Sequence, residues 1–107
     1  VATRPDTVEF ILGKLRPAER FRVRAMFGEY ALYADGKVVA LVCDDQLYVK
    51  IVPASASLAE SCERASPYRG AKPHYLVEEW QLSSIDGLPA LLLAVAEGLP
   101  NPKRKGK

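Results

Sequence analysis

This 107-residue chain has one histidine, His74, two cysteines, Cys43 and Cys62, and no apolar run near the ~18 residues that a membrane span requires. Each shortage closes off a class of function. Two cysteines far apart and a single histidine cannot build a structural zinc site. A cysteine-histidine pair has only Cys43 or Cys62 to draw on, and His74 beside Pro73 reads as an ordinary histidine at the start of a strand. Gly28, Gly36 and Gly70 do not have the spacing of a phosphate-cradling loop. Asp44 and Asp45 read as a turn, because the further oxygen ligands of a calcium or magnesium site are missing around them. The expectation is therefore a protein without catalytic residues, metal or cofactor.

Excess basic charge is missing from the body and concentrated at one end. Lys103, Arg104, Lys105 and Lys107 fall in the last seven residues, leaving 11 basic against 13 acidic groups in residues 1–100. A diffuse nucleic-acid surface makes the folded part itself basic, and here only the tail is. Residues 1–100 are expected to form one domain around a single core, and 101–107 a basic disordered tail. That tail either solvates the terminus or acts as an auxiliary phosphate-contacting arm through Lys103, Arg104, Lys105 and Lys107. The chain opens without a cationic segment followed by an apolar core, so no secretory signal is expected. With two apolar-context cysteines read as buried thiols, a cytoplasmic protein is expected.

What the chain does contain is turn chemistry between apolar runs. Asp6 and Glu9 have capping-box spacing ahead of Val8, Ile11, Leu12 and Leu15, which predicts a helix over 7–16, stopped by Pro17. Phe21, Val23 and Ala25 alternate with Arg20, Arg22 and Arg24, the pattern of a half-buried strand with one basic face. Asp35-Gly36 is the dipeptide preferred by a two-residue type I′ hairpin, and Asp44-Asp45 marks a second turn. A helix is expected from Pro53 to about Ala65, an edge strand within 68–73, and a strand over 74–80 that sends Glu78 and Glu79 to opposite faces. The segment Tyr68-Arg69-Gly70-Ala71-Lys72 reads as a solvated loop or an anion-holding one. Asp86 caps a last helix carrying Leu88, Leu91, Leu92, Val95 and Leu99. The fold class is α+β: a single antiparallel β-sheet meander with packed helices, ordered α, three to four β, α, one to two β, α.

Regular two-residue turns place Tyr33 opposite Val38, Ala31 opposite Ala40 and Val42 opposite Leu47. One sheet face then holds Ala31, Tyr33, Val38, Ala40, Val42, Leu47, Val49 and Ile51 under the helices. The other holds Tyr30, Leu41 and Tyr48 in one row and Leu32, Val39 and Lys50 in the next. If that face is uncovered, Tyr30, Tyr48 and Lys50 form an aromatic patch rimmed by Arg20, Arg22 and Arg24. Tyrosine and arginine combine large area with a polar handle, the chemistry of interface hot spots and of single-strand stacking platforms. The alternative is that these tyrosines complete the protein's own core.

Met26-Phe27-Gly28 with Tyr30, the Tyr33 to Gly36 turn and Leu47-Tyr48-Val49-Lys50 together resemble the N-terminal domain of the TfoX/Sxy competence regulators. After Ser55 the resemblance continues as a helix and a strand at Tyr75, where Glu78-Glu79-Trp80 stands in place of the family's usual proline. It implies an α+β fold similar to secretion chaperones; full-length members, which carry a second C-terminal domain, regulate natural competence with the cyclic-AMP receptor protein at promoters. It implies no catalytic residues. The reading is a small bacterial regulatory or protein-interaction module whose partners are another protein, such as the transcription machinery, or a second copy as a homodimer. The alternatives are a nucleic-acid-binding accessory that uses the basic tail and the strand bearing Arg20, Arg22 and Arg24, and an uncharacterised enzyme resting on His74 alone.

Overall fold

A computed structural model describes residues 3–26, 29–85 and 87–100. Four strands follow one another as a meander: β1 (Phe21–Met26), β2 (Glu29–Ala34), β3 (Lys37–Cys43) and β4 (Gln46–Lys50). Both expected turns are present. Asp35 and Gly36 have φ of 51° and 82°, and Asp44 and Asp45 have φ of 52° and 61°, the paired positive values that a type I′ turn demands. Arg20 Nε donates to the Asp35 carboxylate at 2.8 Å, tying the start of β1 to the β2–β3 turn. That contact holds Asp35 below the usual carboxylate range and raises Arg20 further.

The register departs from the regular one at a single place. Tyr33 stands opposite Val38 as expected, but Leu32 stands opposite Ala40 and Ala31 opposite Leu41, so Val39 is an extra residue on β3. A bulge of this kind changes which residues share a face. Leu32 and Val39, expected on the uncovered face, are completely buried, whereas Ala31 and Tyr33 turn to the other side.

The first helix, α1 (Pro5–Gly13), begins and ends about two to three residues earlier than expected. Pro5 is pre-set for the first helical turn, where a missing N–H costs nothing. Neither Asp6 nor Glu9 caps it. Instead the Asp45 carboxylate accepts the Arg4 N–H at 2.9 Å and the Thr7 hydroxyl at 2.8 Å, tying the helix start to the β3–β4 turn. Those two bonds hold Asp45 below the usual carboxylate range.

Residues Pro53–Glu60 form a 3-10 helix, not an α-helix to Ala65. The buried Ser55 hydroxyl accepts the Val52 N–H at 3.1 Å and donates to the Lys50 carbonyl at 2.6 Å, and Gln81 Nε2 donates to the Ser61 carbonyl at 2.6 Å. The chain so released forms the edge strand β5 (Glu63–Ala65), which is earlier than the 68–73 segment expected to supply it. β5 pairs with β6 (His74–Val77), and the sheet order is β1-β2-β3-β4-β6-β5, antiparallel throughout.

The strand expected to reach Trp80 stops at Val77. Gln81 Oε1 accepts the Glu78 N–H at 2.9 Å and starts α2 (Glu79–Ser84), so Glu78 and Glu79 lie at a helix start and not on alternating strand faces. A last helix, α3 (Leu88–Gly98), buries Leu88, Leu92 and Val95 as the spacing predicts, while the expected cap Asp86 lies outside the described residues. Lys37 Nζ reaches from β3 to donate to the Ala96 and Leu99 carbonyls, each at 2.9 Å, supplying a cation where the helix end leaves acceptors free.

All of these helical segments enter one core. Val8 and Ile11 of α1, Leu58, Leu82 of α2, and Leu88, Leu92 and Val95 of α3 join Phe21, Leu32, Val42, Leu47, Val49 and Val77 from one side of the sheet. The sheet's other side receives none of the clustered helical residues.

Candidate interaction face

Alternation along each strand assigns the helix-free face. Strand pairing places Arg22 opposite Tyr33 and Arg24 opposite Ala31; Leu41 stands opposite Ala31 and Tyr48, and Lys50 opposite His74. Side chains that share a rung and a parity project from the same side. Arg22 and Arg24 are exposed, and Tyr33, Val38, Leu41 and Lys50 are half-buried. Of the residues the sequence groups on one face, Arg22, Arg24, Tyr48 and Lys50 share a side of the sheet.

Neither of the two tyrosines the sequence groups there is accessible on this face. Tyr30 stands opposite Val42 and packs against the helix-side core, because the bulge inverts its side relative to the regular register. Tyr48 is on the helix-free side but only 7% exposed, with its hydroxyl donating to Gln46 Oε1 at 3.2 Å. Burial pushes the Tyr48 phenol above its ordinary value. The aromatic side chain this face offers is Tyr33, which the regular register had assigned to the core. Arg20 shares the parity of Arg22 and Arg24 but is engaged by Asp35.

The face divides into a closed and an open part. Toward Cys43 it is closed: Ala31 is 3% and Cys43 1% exposed, and Met26, Glu29, Cys43 and Tyr68 line a cavity of about 380 Å³ beneath the segment between β5 and β6. The Cys43 thiol is pushed up to about 11, chiefly by burial and then by the Glu29 and Asp44 charges. Burial raises Cys62 as well, and both thiols are free. Toward the Asp35-Gly36 turn the face is open, and Tyr33 lines three adjoining depressions. One, about 330 Å³, continues over Val38 and Lys50 to Leu99 and Pro100. The others, about 310 and 350 Å³, lie on either side of Arg24 along the sheet edge.

Other candidates read from the sequence are dispersed. His74 Nδ1 lies 2.8 Å from the Lys72 carbonyl, with no nucleophile among its described hydrogen-bond partners. Among the described residues no three histidine, cysteine or acidic side chains gather as metal ligands, and no helix is long and apolar enough to cross a membrane. Lys103, Arg104, Lys105 and Lys107 lie outside the described residues, as do Phe27 and Gly28.

The family model of the TfoX N-terminal domain matches residues 14–92, which run from the end of α1 into α3. A protein of Spirochaeta aurantia, named as an uncharacterized 12.7 kDa protein in the trpE 5′ region, is 37% identical over 108 residues, covering 100% of this chain and 93% of its own length. The matched span contains the whole meander, the bulge and the helix-free face, and the chain belongs to the TfoX N-terminal domain family.

Proposed function

We propose that this protein is a regulatory docking module that acts by binding another protein through the open part of its helix-free sheet face. One observation carries the reading: every clustered helical residue packs on one side of the sheet, while Tyr33, Val38 and Leu41 remain half-buried on the other with Arg22, Arg24 and Lys50 around them. An apolar centre with a tyrosine and a cationic rim is the make-up of an interface core and its polar border. Two buried free thiols support a reducing compartment, the cytoplasm. Family membership supports the transcription machinery as the setting for the partner.

The test is affinity capture from native lysate, with and without nuclease, using the intact chain and a Tyr33→Ala, Lys50→Ala variant whose fold is checked by circular dichroism. A protein retained after nuclease and lost with the variant is the expected result. Capture that is indifferent to the variant removes the open face from the account.

One observation favours a second reading, contact with nucleic acid. Leu99 and Pro100 line the same depression as Tyr33 and Lys50, and the sequence continues after Pro100 into a segment with Lys103, Arg104, Lys105 and Lys107. Phosphate binding predicts an affinity that falls steeply with salt. A signal that does not change with salt ends this reading.

A further inference from the structure

Resting on the docking reading, we propose that β1 receives an acidic extended segment of the partner protein as an added antiparallel strand at the edge of the sheet.

The argument starts from the main chain. β1 pairs with β2 alone and forms one edge of the sheet. The Asp35 N–H donates to the Arg20 carbonyl at 2.9 Å, which fixes the phase of the ladder. Antiparallel pairing alternates, so Arg22, Arg24 and Met26 point their main-chain groups toward β2, and Phe21, Val23 and Ala25 point theirs away from the sheet. The Ala18 carbonyl takes the Phe21 N–H, and no described hydrogen bond engages the outward groups of Val23 and Ala25. An extended run of unpaired donors and acceptors is a template for another strand. At six residues β1 is twice the length of β5, the opposite edge.

Charge then selects the occupant. Arg22 and Arg24 are exposed at this edge, and neither has an ion-pair partner among the described residues, in contrast to Arg4 and Arg20. In a two-fold pairing of β1 with a second copy, Arg22 and Arg24 would stand against the same arginines of the partner on the same face. Like charges directly opposite destabilise a strand pair, so the edge rejects its own copy. A strand with carboxylates at alternate positions pairs with both arginines. The depressions of about 310 and 350 Å³ flank Arg24 along this edge and offer room for the added strand's side chains on either side of the guanidinium. A nucleic-acid strand is less well matched, because two arginines and Lys50 are the cations at this edge and face of a body with more acidic than basic groups.

The geometry also states which amides of the added strand are used. Residues opposite Arg22 and Arg24 form the pairs without mutual hydrogen bonds, and residues opposite Val23 and Ala25 form the bonded pairs, with the Phe21 carbonyl left as a further acceptor. In an alternating peptide whose glutamates face the arginines, the intervening residues supply the N–H groups that reach β1.

The experiment measures fluorescence anisotropy of a labelled ten-residue peptide alternating valine and glutamate, titrated with the intact protein. It is repeated with the peptide N-methylated at every valine, with the peptide N-methylated at every glutamate, and with a dT20 oligonucleotide. The unmodified and glutamate-methylated peptides should bind alike, and valine methylation should weaken binding by roughly tenfold or more, since it removes several ladder bonds at once. An Arg22→Glu, Arg24→Glu variant, exposed at both sites, should lose the peptide by a similar factor. Equal affinity for all three peptides overturns the proposal, because ion pairing alone would then explain the binding. Binding of dT20 without the peptide overturns it in favour of nucleic acid. If no peptide binds while lysate capture still depends on Tyr33 and Lys50, strand addition fails and the docking face stands.

Discussion

Leu32 stands opposite Ala40 across β2 and β3, one residue beyond the partner that the hairpin closed by Ala34 and Lys37 would assign it. The offset makes Val39 a supernumerary residue and puts Tyr33, with Arg22 beside it, on the face the helices leave bare. Deleting Val39 should therefore leave a regular ladder with every other residue on its present face. The expected cost is the burial of one fully enclosed valine, about 1.5–3 kcal/mol, read by urea denaturation of the deletion variant beside the parent. An unfolded deletion variant would mean that the bulge itself is required.

Lys37 ties β3 to the end of α3 through two carbonyls at 2.9 Å. Hydrogen bonds from a charged donor contribute more than neutral ones, so Lys37→Met should lower stability by about 1.5–3 kcal/mol. Amide exchange should accelerate first in the last turn of α3. A variant as stable as the parent would show that solvent serves those carbonyls equally well.

Asp45 joins the start of α1 to the β3–β4 turn, and its bonds to the Arg4 N–H and Thr7 hydroxyl hold it below the usual carboxylate range. Its contribution to stability is complete above the unfolded carboxylate value of about 3.9 and is lost as pH falls through the lower folded value. Thermal melts from about pH 7 down to about pH 2 should show the parent losing this part of its stability. Asp45→Asn keeps an oxygen acceptor and tolerates the positive φ but cannot titrate, so its curve should be flatter over the same interval. Parallel curves would remove Asp45 from the acid response.

Cys43 is 1% exposed, with its thiol pushed up to about 11 by burial first, so at neutral pH it is a protonated core thiol. Alkylation by iodoacetamide at neutral pH should be slow in the folded protein and fast once the chain is unfolded in urea, because the thiolate is the reacting form. Rapid labelling of Cys43 in the native state would contradict the closed end of the face.

The sequence was informative where side chains of different polarity set a phase. The arginines of β1 alternate with Phe21, Val23 and Ala25, and both hairpin turns carry aspartate or glycine at the positive-φ positions, so the strands and turns could be placed. In β3 the run from Val38 to Cys43 is apolar at every position, and no alternation remains to say which residue faces which side. The pattern therefore carries no sign of the bulge, and a regular register assigns Tyr30, not Tyr33, to the candidate face. The early end of the second helical segment and the start of α2 both depend on Gln81, whose side chain bonds to Ser61 and Glu78. Contacts of that kind arise only after folding and leave no periodic mark on the chain.

The most direct measurement of the central claim is the nuclease-treated lysate capture, with Tyr33→Ala, Lys50→Ala compared against Trp80→Ala, an exposed aromatic on α2 away from the open face's strands. The account predicts one partner protein that survives nuclease, disappears with the Tyr33 and Lys50 substitutions and persists with Trp80→Ala. Loss of the partner with Trp80→Ala and its retention with the open-face variant would contradict it.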